Sequence, residues 1–147
     1  MPETYKEISF NFFDKDKNEQ KIEWVWATSI GDYYKIDNIP LYAYRYSAED
    51  IVSVIEGDGK ELQVVSLIQP SGNSTVRILF KDLSEIDSIK EELILRKCDF
   101  EVGINENSLA VNIPKSVSYK KIIDYLESLE DLQYEESCMS EYHKNQS

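Results

Sequence analysis

The order of the periodic segments between Ser74 and Glu136 constrains the fold more than any other feature of the chain. Four segments alternate apolar and polar residues, which is typical of strands, and two repeat apolar residues at helical spacing. They predict strand, helix, strand, strand, helix, strand, with helices near residues 84–96 and 117–129. This is the order of a ferredoxin-like βαββαβ unit, in which both helices cover one face of an antiparallel sheet.

Local signals mark where these elements begin and turn. Ser84 can cap the first helix, and the turn at residues 105–107 joins the two middle strands into a hairpin. The apolar positions that define the six elements are Val76, Ile78, Phe80, Ile86, Ile89, Leu93, Phe100, Val102, Ile104, Leu109, Val111, Ile113, Ile122, Leu126, Leu129, Leu132 and Tyr134.

Residues 5–69 carry only strand signals. Gly31-Asp32 and the turn Gly57–Lys60 predict hairpins, and Leu41–Tyr46 reads as a further strand after Pro40. Five or six short strands predict a small antiparallel barrel or strongly bent sheet. We therefore expect an α+β protein with an antiparallel β unit over 1–69, packed on a ferredoxin-like unit over 70–137, and a frayed polar tail over 138–147.

The net charge of −12, from 28 acidic and 16 basic side chains, restricts the possible partners. Nucleic-acid binding depends on lysine and arginine to neutralise phosphates, so this composition argues against it. An acidic surface attracts basic proteins and accelerates their association. The alternative explanation is that the acidity only keeps the protein soluble.

Composition also indicates the cellular environment. No apolar stretch approaches the roughly 20 residues that span a bilayer, and no secretory signal is visible, so we expect a soluble cytoplasmic protein without a membrane partner. Cys98 and Cys138 are too few for a disulfide scaffold, and we expect them to be reduced and apart.

Catalytic signals are weak. His143 is the only histidine and falls in the predicted polar tail, so no triad, Cys–His pair or multi-histidine metal site can be built around it. Cys138 and His143 are five residues apart, but two ligands do not make a metal site. Adjacent carboxylates such as Glu91-Glu92 point apart on a helix. We expect a protein that is not an enzyme and that has no cofactor or metal.

Two further groups of residues have alternative interpretations. The aromatic residues of the N-terminal half fit either a binding platform, or the core of the barrel or its contact with the other half, and we favour the core. They are Trp24, Trp26, Tyr33, Tyr34, Tyr42, Tyr44 and Tyr46. Arg77 can pair with Asp37 or another acid to join the two halves, which we favour, or it can hold an anionic ligand. A ligand pocket at that junction would involve Asp37, Asn73, Ser74 and Arg77.

Three stretches occur in the same order as in a known bacterial family. They are Tyr34–Tyr42 (YKIDNIPLY), Ser71–Phe80 (SGNSTVRILF) and Tyr134–Ser140 (YEESCMS). In them the chain resembles the domain of unknown function number 4265, over roughly residues 22–140. The family shows a Gly-Asp pair where this chain has Ala48-Glu49-Asp50, which keeps the acid and loses the glycine. The resemblance implies a small bacterial protein and no particular activity.

The leading functional hypothesis is a cytoplasmic immunity protein that binds and neutralises a cognate antibacterial toxin. A basic nuclease is the favoured partner, because nuclease active sites are basic in order to hold phosphates. The candidate contacts are Asp14, Asp16, Glu127, Glu130, Asp131, Glu135 and Glu136. The alternative is a ferredoxin-like module that senses a small molecule or regulates another protein, with its ligand at the junction of the halves.

Overall fold

The structure, a computed structural model, describes residues 5–15, 17–103, 107–130 and 132–146. Asp16, Asp131, the predicted strand residue Ile104 and the predicted turn residues 105 and 106 lie outside the described residues. The strands are β1 (Tyr5–Asp14), β2 (Glu19–Ile30), β3 (Tyr33–Ile36), β4 (Ile51–Glu56), β5 (Leu62–Gln69), β6 (Ser74–Leu79), β7 (Asp99–Val102), β8 (Ser108–Ile113) and β9 (Gln133–Cys138). The helices are α1 (Ile86–Leu95), α2 (Tyr119–Glu127) and α3 (Glu141–Lys144).

Strands β1 to β5 form a closed barrel, which confirms the predicted N-terminal barrel. Each strand pairs with the next in antiparallel fashion, whereas β1 and β5 close the barrel in parallel at Ile8↔Leu62 and Ser9↔Gln63. Five strands that reverse direction at every step leave the first and the last running the same way. The closing pair is therefore parallel, a feature that the prediction of an antiparallel unit did not include.

The barrel encloses an apolar core with one buried charge beside it. The buried members of the core are Ile8, Phe10, Val25, Ala27, Ile36, Ala43 and Val52. Glu23 shares the buried side of β2 with Val25 and Ala27. A carboxylate at such a position requires hydrogen-bond donors, and the segment that follows β3 supplies them.

Residues 41–46 do not form the predicted strand. The carboxylate of Glu23 accepts hydrogen bonds from the backbone N–H of Leu41 at 2.6 Å, Tyr42 at 3.0 Å and Ala43 at 2.9 Å. Because a side chain satisfies these donors, they are not available to a neighbouring strand. Arg45, with a φ of 74°, then turns the chain out of the extended conformation.

Strands β6 to β9 form a second sheet in the order β7-β8-β6-β9, and all neighbours are antiparallel. Residues of α1 and α2 share a single apolar cluster with the sheet, so the molecule is an α+β protein as predicted. The buried residues of this cluster are Val76, Ile78, Phe80, Ile89, Leu93, Cys98, Leu109, Val111, Ile113, Tyr119, Ile122 and Leu126.

The two predicted helices are present and begin slightly later than expected. Asp82, rather than Ser84, caps the first one: its carboxylate accepts the Ser84 N–H at 2.9 Å and starts a 3₁₀ turn that leads into α1. Ser118 caps α2 by accepting the Lys121 N–H at 3.3 Å. Of the described helices, none is long and apolar enough to cross a membrane.

The C-terminal residues differ from the frayed polar tail that was predicted. Ser140 caps α3 by accepting the His143 N–H at 3.1 Å, and its hydroxyl donates to the Gly72 carbonyl at 2.7 Å. His143 is only 3% exposed. Burial of polar groups requires partners, and this short helix finds them at Gly72 and at Ser74, the first residue of β6, which are 66 or more residues away in sequence.

The segment between β3 and β4, residues 37–50, joins the barrel to the second sheet. Ile39 and Ala48 form a small buried cluster with Ala110 of β8. Asn73 donates from Nδ2 to the Ala48 carbonyl at 3.1 Å, and the hydroxyls of Ser47 and Thr75 lie 2.8 Å apart. Both apolar and polar contacts therefore hold the two halves together, in agreement with the short connection between them.

Candidate functional site

An open cleft of about 490 Å³ lies between the 37–50 segment and the second sheet, and we call it the junction cleft. Four carboxylates line it: Asp37 and Glu49 from the segment, and Asp99 and Glu101 from β7. Its amide groups belong to Asn73 and Asn112, and its apolar lining comes from Ile39, Ala48, Phe100 and Pro114. No lysine or arginine among the described residues lines the cleft.

The pairing of β7 with β8 brings the sheet residues of the cleft together. Asp99 lies opposite Asn112, and Glu101 lies opposite Ala110. Residues two apart on a strand share a face and are about 7 Å apart, so both acids follow one side of β7. The sequence already indicated that Asp99 and Glu101 share a face, because the two acids alternate with Phe100. Their proximity to Asn112 was missed because it depends on the register of the hairpin.

Hydrogen bonds fix most of the polar groups around the cleft. Asn73 accepts the Lys115 N–H at 2.9 Å through Oδ1 and donates to Glu49 at 3.1 Å through Nδ2. Glu101 receives only long contacts of 3.4 Å, from the Asn38 side chain and the Ile39 N–H. The Glu101 carboxylate is therefore held in place with most of its capacity to accept hydrogen bonds unused.

The side chain of Asn112 is the exception in this network. The residue is 6% exposed, and its Oδ1 is buried without a hydrogen-bond partner. A buried carbonyl oxygen without a donor is unfavourable, and few such groups occur in a folded protein. Asn112 lines the junction cleft, but its Oδ1 is itself closed off from solvent.

One edge of the cleft continues into the outer surface of the barrel. The Asp37 N–H donates to the Trp26 carbonyl at 2.9 Å, and the Trp26 N–H donates to Asn38 Oδ1 at 2.6 Å. The Tyr5 hydroxyl donates to Asp37, and this hydrogen bond is the main reason why the pKa of Tyr5 is raised. Asp37 therefore connects the cleft to β1 and β2.

The outer side of β2 forms an exposed apolar strip, which we call the tryptophan face. It consists of Ile22, Trp24 and Trp26, which are 56%, 47% and 37% exposed. The core interpretation is wrong for both tryptophans and for Tyr33, which are exposed, whereas the exposed Tyr44 makes the predicted type of contact with the other half, at Glu135. Trp24 and Trp26 lie on one face of β2, as the alternation predicted. That face is the outer one, because Val25 and Ala27 on the opposite face belong to the barrel core.

Arg77 pairs with Glu135 rather than Asp37. Its Nη2 lies 2.7 Å from Glu135 Oε2 and donates to the Tyr44 hydroxyl at 3.2 Å. The Tyr44 hydroxyl in turn donates to Glu135 at 2.8 Å, and the guanidinium lies over the rings of Tyr42 and Tyr44. Because Tyr42 and Tyr44 belong to the 37–50 segment, this cluster forms a bridge between the halves.

The predicted small-ligand residues are therefore divided between two places. Asp37 and Asn73 line the junction cleft, whereas Ser74 and Arg77 do not. Ser74 is fully buried and lies 2.5 Å from Nδ1 of His143. Nε2 of His143 lies 3.1 Å from the carbonyls of Pro114 and Val117, so it carries a proton, and Nδ1 shares a hydrogen bond with the Ser74 hydroxyl. This inaccessible Ser–His pair is structural.

The described candidate partner-binding carboxylates belong to β1, to the end of α2 and the residues after it, and to β9. Asp14 pairs with Lys21 at 3.0 Å near the tip of the β1–β2 hairpin. Glu127 accepts from the Tyr134 hydroxyl at 2.5 Å, and Glu136 accepts from the Tyr119 hydroxyl at 2.8 Å. Glu130 is exposed. Glu127 and Glu136 both lie near enough to Tyr134 to raise the pKa of its hydroxyl, and the role of the whole set in partner binding stays a prediction.

The free thiols and the acidic groups of the described residues have distinct environments. Burial raises the pKa of Cys98 to about 11 and also raises the pKa of Cys138, so neither free thiol is a reactive thiolate at neutral pH. Among the described residues, no three His, Cys, Asp or Glu side chains are grouped closely enough to hold a metal ion. What the junction cleft offers is an array of hydrogen-bond acceptors with negative charge.

Comparison with known proteins agrees with the resemblance seen in the sequence. A solved structure of a hypothetical protein from Neisseria gonorrhoeae is 28% identical to the chain, with a TM-score of 0.72. The match covers 95% of this chain and 99% of that one. No curated protein matches the sequence. The family model described as Domain of unknown function (DUF4265) matches residues 23–136, and the chain therefore belongs to this family.

Proposed function

We propose that this protein is an immunity-type binding protein that neutralises a basic antibacterial toxin by direct contact in the cytoplasm, without catalysis. The observation that carries the proposal is the charge of the junction cleft: four carboxylates line it, and no basic side chain of the described residues offsets them there. Together with a net charge of −12, this cleft attracts cationic groups. A nearby cationic surface would be steered towards it.

The tryptophan face supports the same function because it lies next to the cleft. The backbone hydrogen bond between Asp37 and Trp26 makes the cleft and the face neighbours. Tryptophan is enriched among the residues that contribute most to binding energy, whereas peripheral charges mainly raise the association rate. An exposed aromatic strip beside an acidic cleft therefore suits a partner that presents basic side chains around an apolar centre.

A nuclease is the toxin class that best matches this surface. Nuclease active sites carry lysine and arginine to bind phosphate, and an acidic protein can occupy such a site in place of the nucleic acid. Asp14, Asp16, Glu127, Glu130, Asp131, Glu135 and Glu136 would add long-range attraction, which is screened beyond roughly 8–10 Å at physiological salt. Association should therefore be faster at low than at high ionic strength.

The test is co-expression with the reading frame next to this gene. Cells that express an adjacent toxin should survive only when this protein is also expressed, and the two proteins should copurify. A variant with Glu101→Gln and Asp99→Asn should protect less well than wild type, whereas Glu91→Gln on the exposed side of α1 should protect fully. A neighbouring gene that is not toxic, or protection without copurification, contradicts the proposal.

We also infer that the C-terminal unit is ferredoxin-like. Two features support this: the order strand, helix, strand, strand, helix, strand from β6 to β9, and the antiparallel sheet order β7-β8-β6-β9 with both helices in one apolar cluster. Such units serve many functions, so this architecture is compatible with the proposed binding role without requiring it.

A small-molecule module is the second candidate, because the junction cleft has a volume in the range of ligand sites and contains the predicted Asp37 and Asn73. A thermal-shift screen against metabolites separates the two functions. A ligand present at 100 times its dissociation constant stabilises a protein by about 2.7 kcal/mol, which is easily measured. The absence of any shift, together with tight binding to a basic protein, eliminates this candidate.

A further inference from the structure

One side of β2 has no strand partner over its first half. β1 pairs with residues 19–28 of β2, whereas β3, on the other side, pairs only with residues 27–30. The chain after β3 makes backbone hydrogen bonds with Trp26 and then leaves β2. In the part of the chain that the structure describes, no strand pairs with residues 19–25 on the side away from β1.

The hydrogen bonds at Trp26 show which backbone groups point to this free edge. Its N–H donates to Asn38 Oδ1 at 2.6 Å and its carbonyl accepts the Asp37 N–H at 2.9 Å, so both groups point away from β1. Backbone direction alternates along an antiparallel pair, so the N–H and C=O groups of Ile22 and Trp24 point the same way. No described residue bonds to them on that side. They are therefore available beside the tryptophan face.

This edge lacks the features that normally prevent pairing with another chain, namely proline, β-bulges and free charges. β2 contains no proline, and its pairing with β1 has no register shift. The charged side chains of Lys21 and Glu23 are already bound, to Asp14 at 3.0 Å and to the N–H groups of residues 41–43. β5 differs, because its pairing with β4 shifts register twice.

We propose that the free edge of β2 binds an extended segment of a basic partner protein, which adds a strand beside the tryptophan face. Hydrogen bonds to the backbone of Ile22 and Trp24 hold such a strand, and its alternate side chains determine specificity. This inference rests on the proposed function, because it states how the basic partner would bind.

Charge favours this occupant over a second copy of the chain. The edge ends at Trp26 beside Asp37, which lines the junction cleft, and Glu101 lies 3.4 Å from the Asn38 side chain. A second copy, with a net charge of −12, would bring more negative charge to these acids. Lysine or arginine on an incoming strand would be attracted to them. The segment that fits therefore has apolar residues beside Trp24 and a basic residue near Asp37.

Amide hydrogen exchange of the free protein tests the edge itself. The amides of Ile22 and Trp24 should exchange faster than those of Glu23 and Val25, which alternate with them and point to β1. Equal protection of these amides would overturn the proposal.

The probe for the occupant is a short peptide in which valine alternates with arginine. It should bind with a dissociation constant on the order of 0.1–1 mM and slow the exchange of the Ile22 and Trp24 amides. The same peptide with all its backbone amides N-methylated keeps its charge but has no N–H donor, so it should bind at least about tenfold more weakly. Equal affinity of the two peptides, or protection at another strand edge, would overturn the proposal.

Proline variants connect the binding to the backbone of β2. Ile22→Pro removes an N–H that points away from β1, a position at which sheets tolerate proline. It should weaken peptide binding by about tenfold or more, whereas Ile22→Ala, which keeps the N–H, should weaken it by no more than about threefold. Gln20→Pro and Gln20→Ala repeat this comparison outside the tryptophan face. Equal affinity within both Pro/Ala pairs, or unfolding of both proline variants, would show that these N–H groups do not form a free edge.

Two further measurements separate this inference from the proposed function and from self-association. If a cognate toxin binds Ile22→Pro as tightly as wild type, the edge is wrong and the toxin-binding function remains. If the peptide pairs with β2 but no toxin is neutralised, that function is wrong and the edge remains. Sedimentation of the protein alone detects a second copy: a dimer that Ile22→Pro abolishes would overturn the assignment to a basic partner.

Discussion

The hydroxyl of Ser74 lies 2.5 Å from Nδ1 of His143, and this contact attaches the C-terminal helix to the first strand of the second sheet. Ser74 also accepts the Ser140 N–H at 2.9 Å, and Nε2 of His143 reaches two backbone carbonyls on the far side of the ring. Since every polar atom of the imidazole has a partner inside the protein, the ring acts as a link between α3, β6 and the loop before α2.

The first prediction is that His143→Ala destabilises the protein by about 2–4 kcal/mol, because it leaves buried partners unsatisfied and opens a cavity. Urea denaturation measures the change in the free energy of unfolding. The control is Lys144→Ala on the same helix, whose pairing with Glu141 is exposed and should contribute less than about 0.5 kcal/mol. Equal stability of the two variants would show that α3 is not anchored in this way.

The second prediction concerns Glu23, whose carboxylate organises residues 41–43. Glu23→Gln replaces one acceptor oxygen by an NH₂ group that faces a backbone N–H. We expect a loss of about 1–3 kcal/mol in the free energy of unfolding, although the volume of the side chain hardly changes. The exposed Glu19→Gln on the same strand is the control and should change stability by less than about 0.5 kcal/mol.

The third prediction is the pH dependence of this group. Burial raises the pKa of Glu23 above its ordinary value of 4.5, although three backbone hydrogen bonds oppose the shift. The folded protein therefore binds this proton more readily than the unfolded chain does. Its contribution to stability is complete below pH 4.5 and is lost as the pH rises through the folded-state pKa. The stability difference between wild type and Glu23→Gln should be larger at pH 5 than at pH 8, and a difference that does not grow would contradict the shift.

These residues show why the sequence predicted the elements better than the site. Residues such as Val76 and Ile78 show their strand period within a few positions, so the βαββαβ order was visible. The donors to Glu23 lie 18 to 20 residues away in an irregular segment. Asn112 lies opposite Asp99 only because of the hairpin register. Contacts of this kind depend on tertiary structure, for which a single sequence carries no local signal.

Glu49 gives a more specific example. Its φ of 71° is in the left-handed region, which favours glycine. The Gly-Asp pair of the family falls at Ala48-Glu49-Asp50, where this chain keeps the acid and loses the glycine. The sequence showed the departure, but the backbone conformation was needed to explain it. Here a carboxylate that lines the junction cleft occupies a strained position.

The fourth prediction is that Arg77 is a structural bridge. Arg77→Lys should lower the free energy of unfolding by about 1–2 kcal/mol, because an ammonium cannot reproduce the contacts to Glu135, Tyr44 and the two tyrosine rings together. The expected loss of stability is small because the Glu135 side chain is 40% exposed, so solvent partly screens its ion pair with Arg77. Thermal denaturation measures the loss, with Arg96→Lys as a control that should lose less, because Arg96 pairs with Glu92 and lies over one tyrosine ring rather than two. Unchanged stability of Arg77→Lys would favour an anion-binding role for the guanidinium.

The last prediction separates binding from folding at the tryptophan face. Trp24 and Trp26 are exposed, so Trp24→Ala and Trp26→Ala should each lower the free energy of unfolding by no more than about 1 kcal/mol. If the face anchors the partner, each variant should weaken the complex by at least about 2 kcal/mol, or roughly 30-fold in dissociation constant, as is usual for a buried aromatic anchor.

Calorimetric titration with the cognate partner measures this loss, and the dissociation rate should account for most of it. Leu95→Ala, at a 76% exposed position on α1, removes a comparable exposed apolar side chain away from β2 and should leave binding unchanged. Wild-type affinity in both tryptophan variants would show that the partner binds another surface. A loss of folding in either variant would show instead that these exposed rings support the barrel.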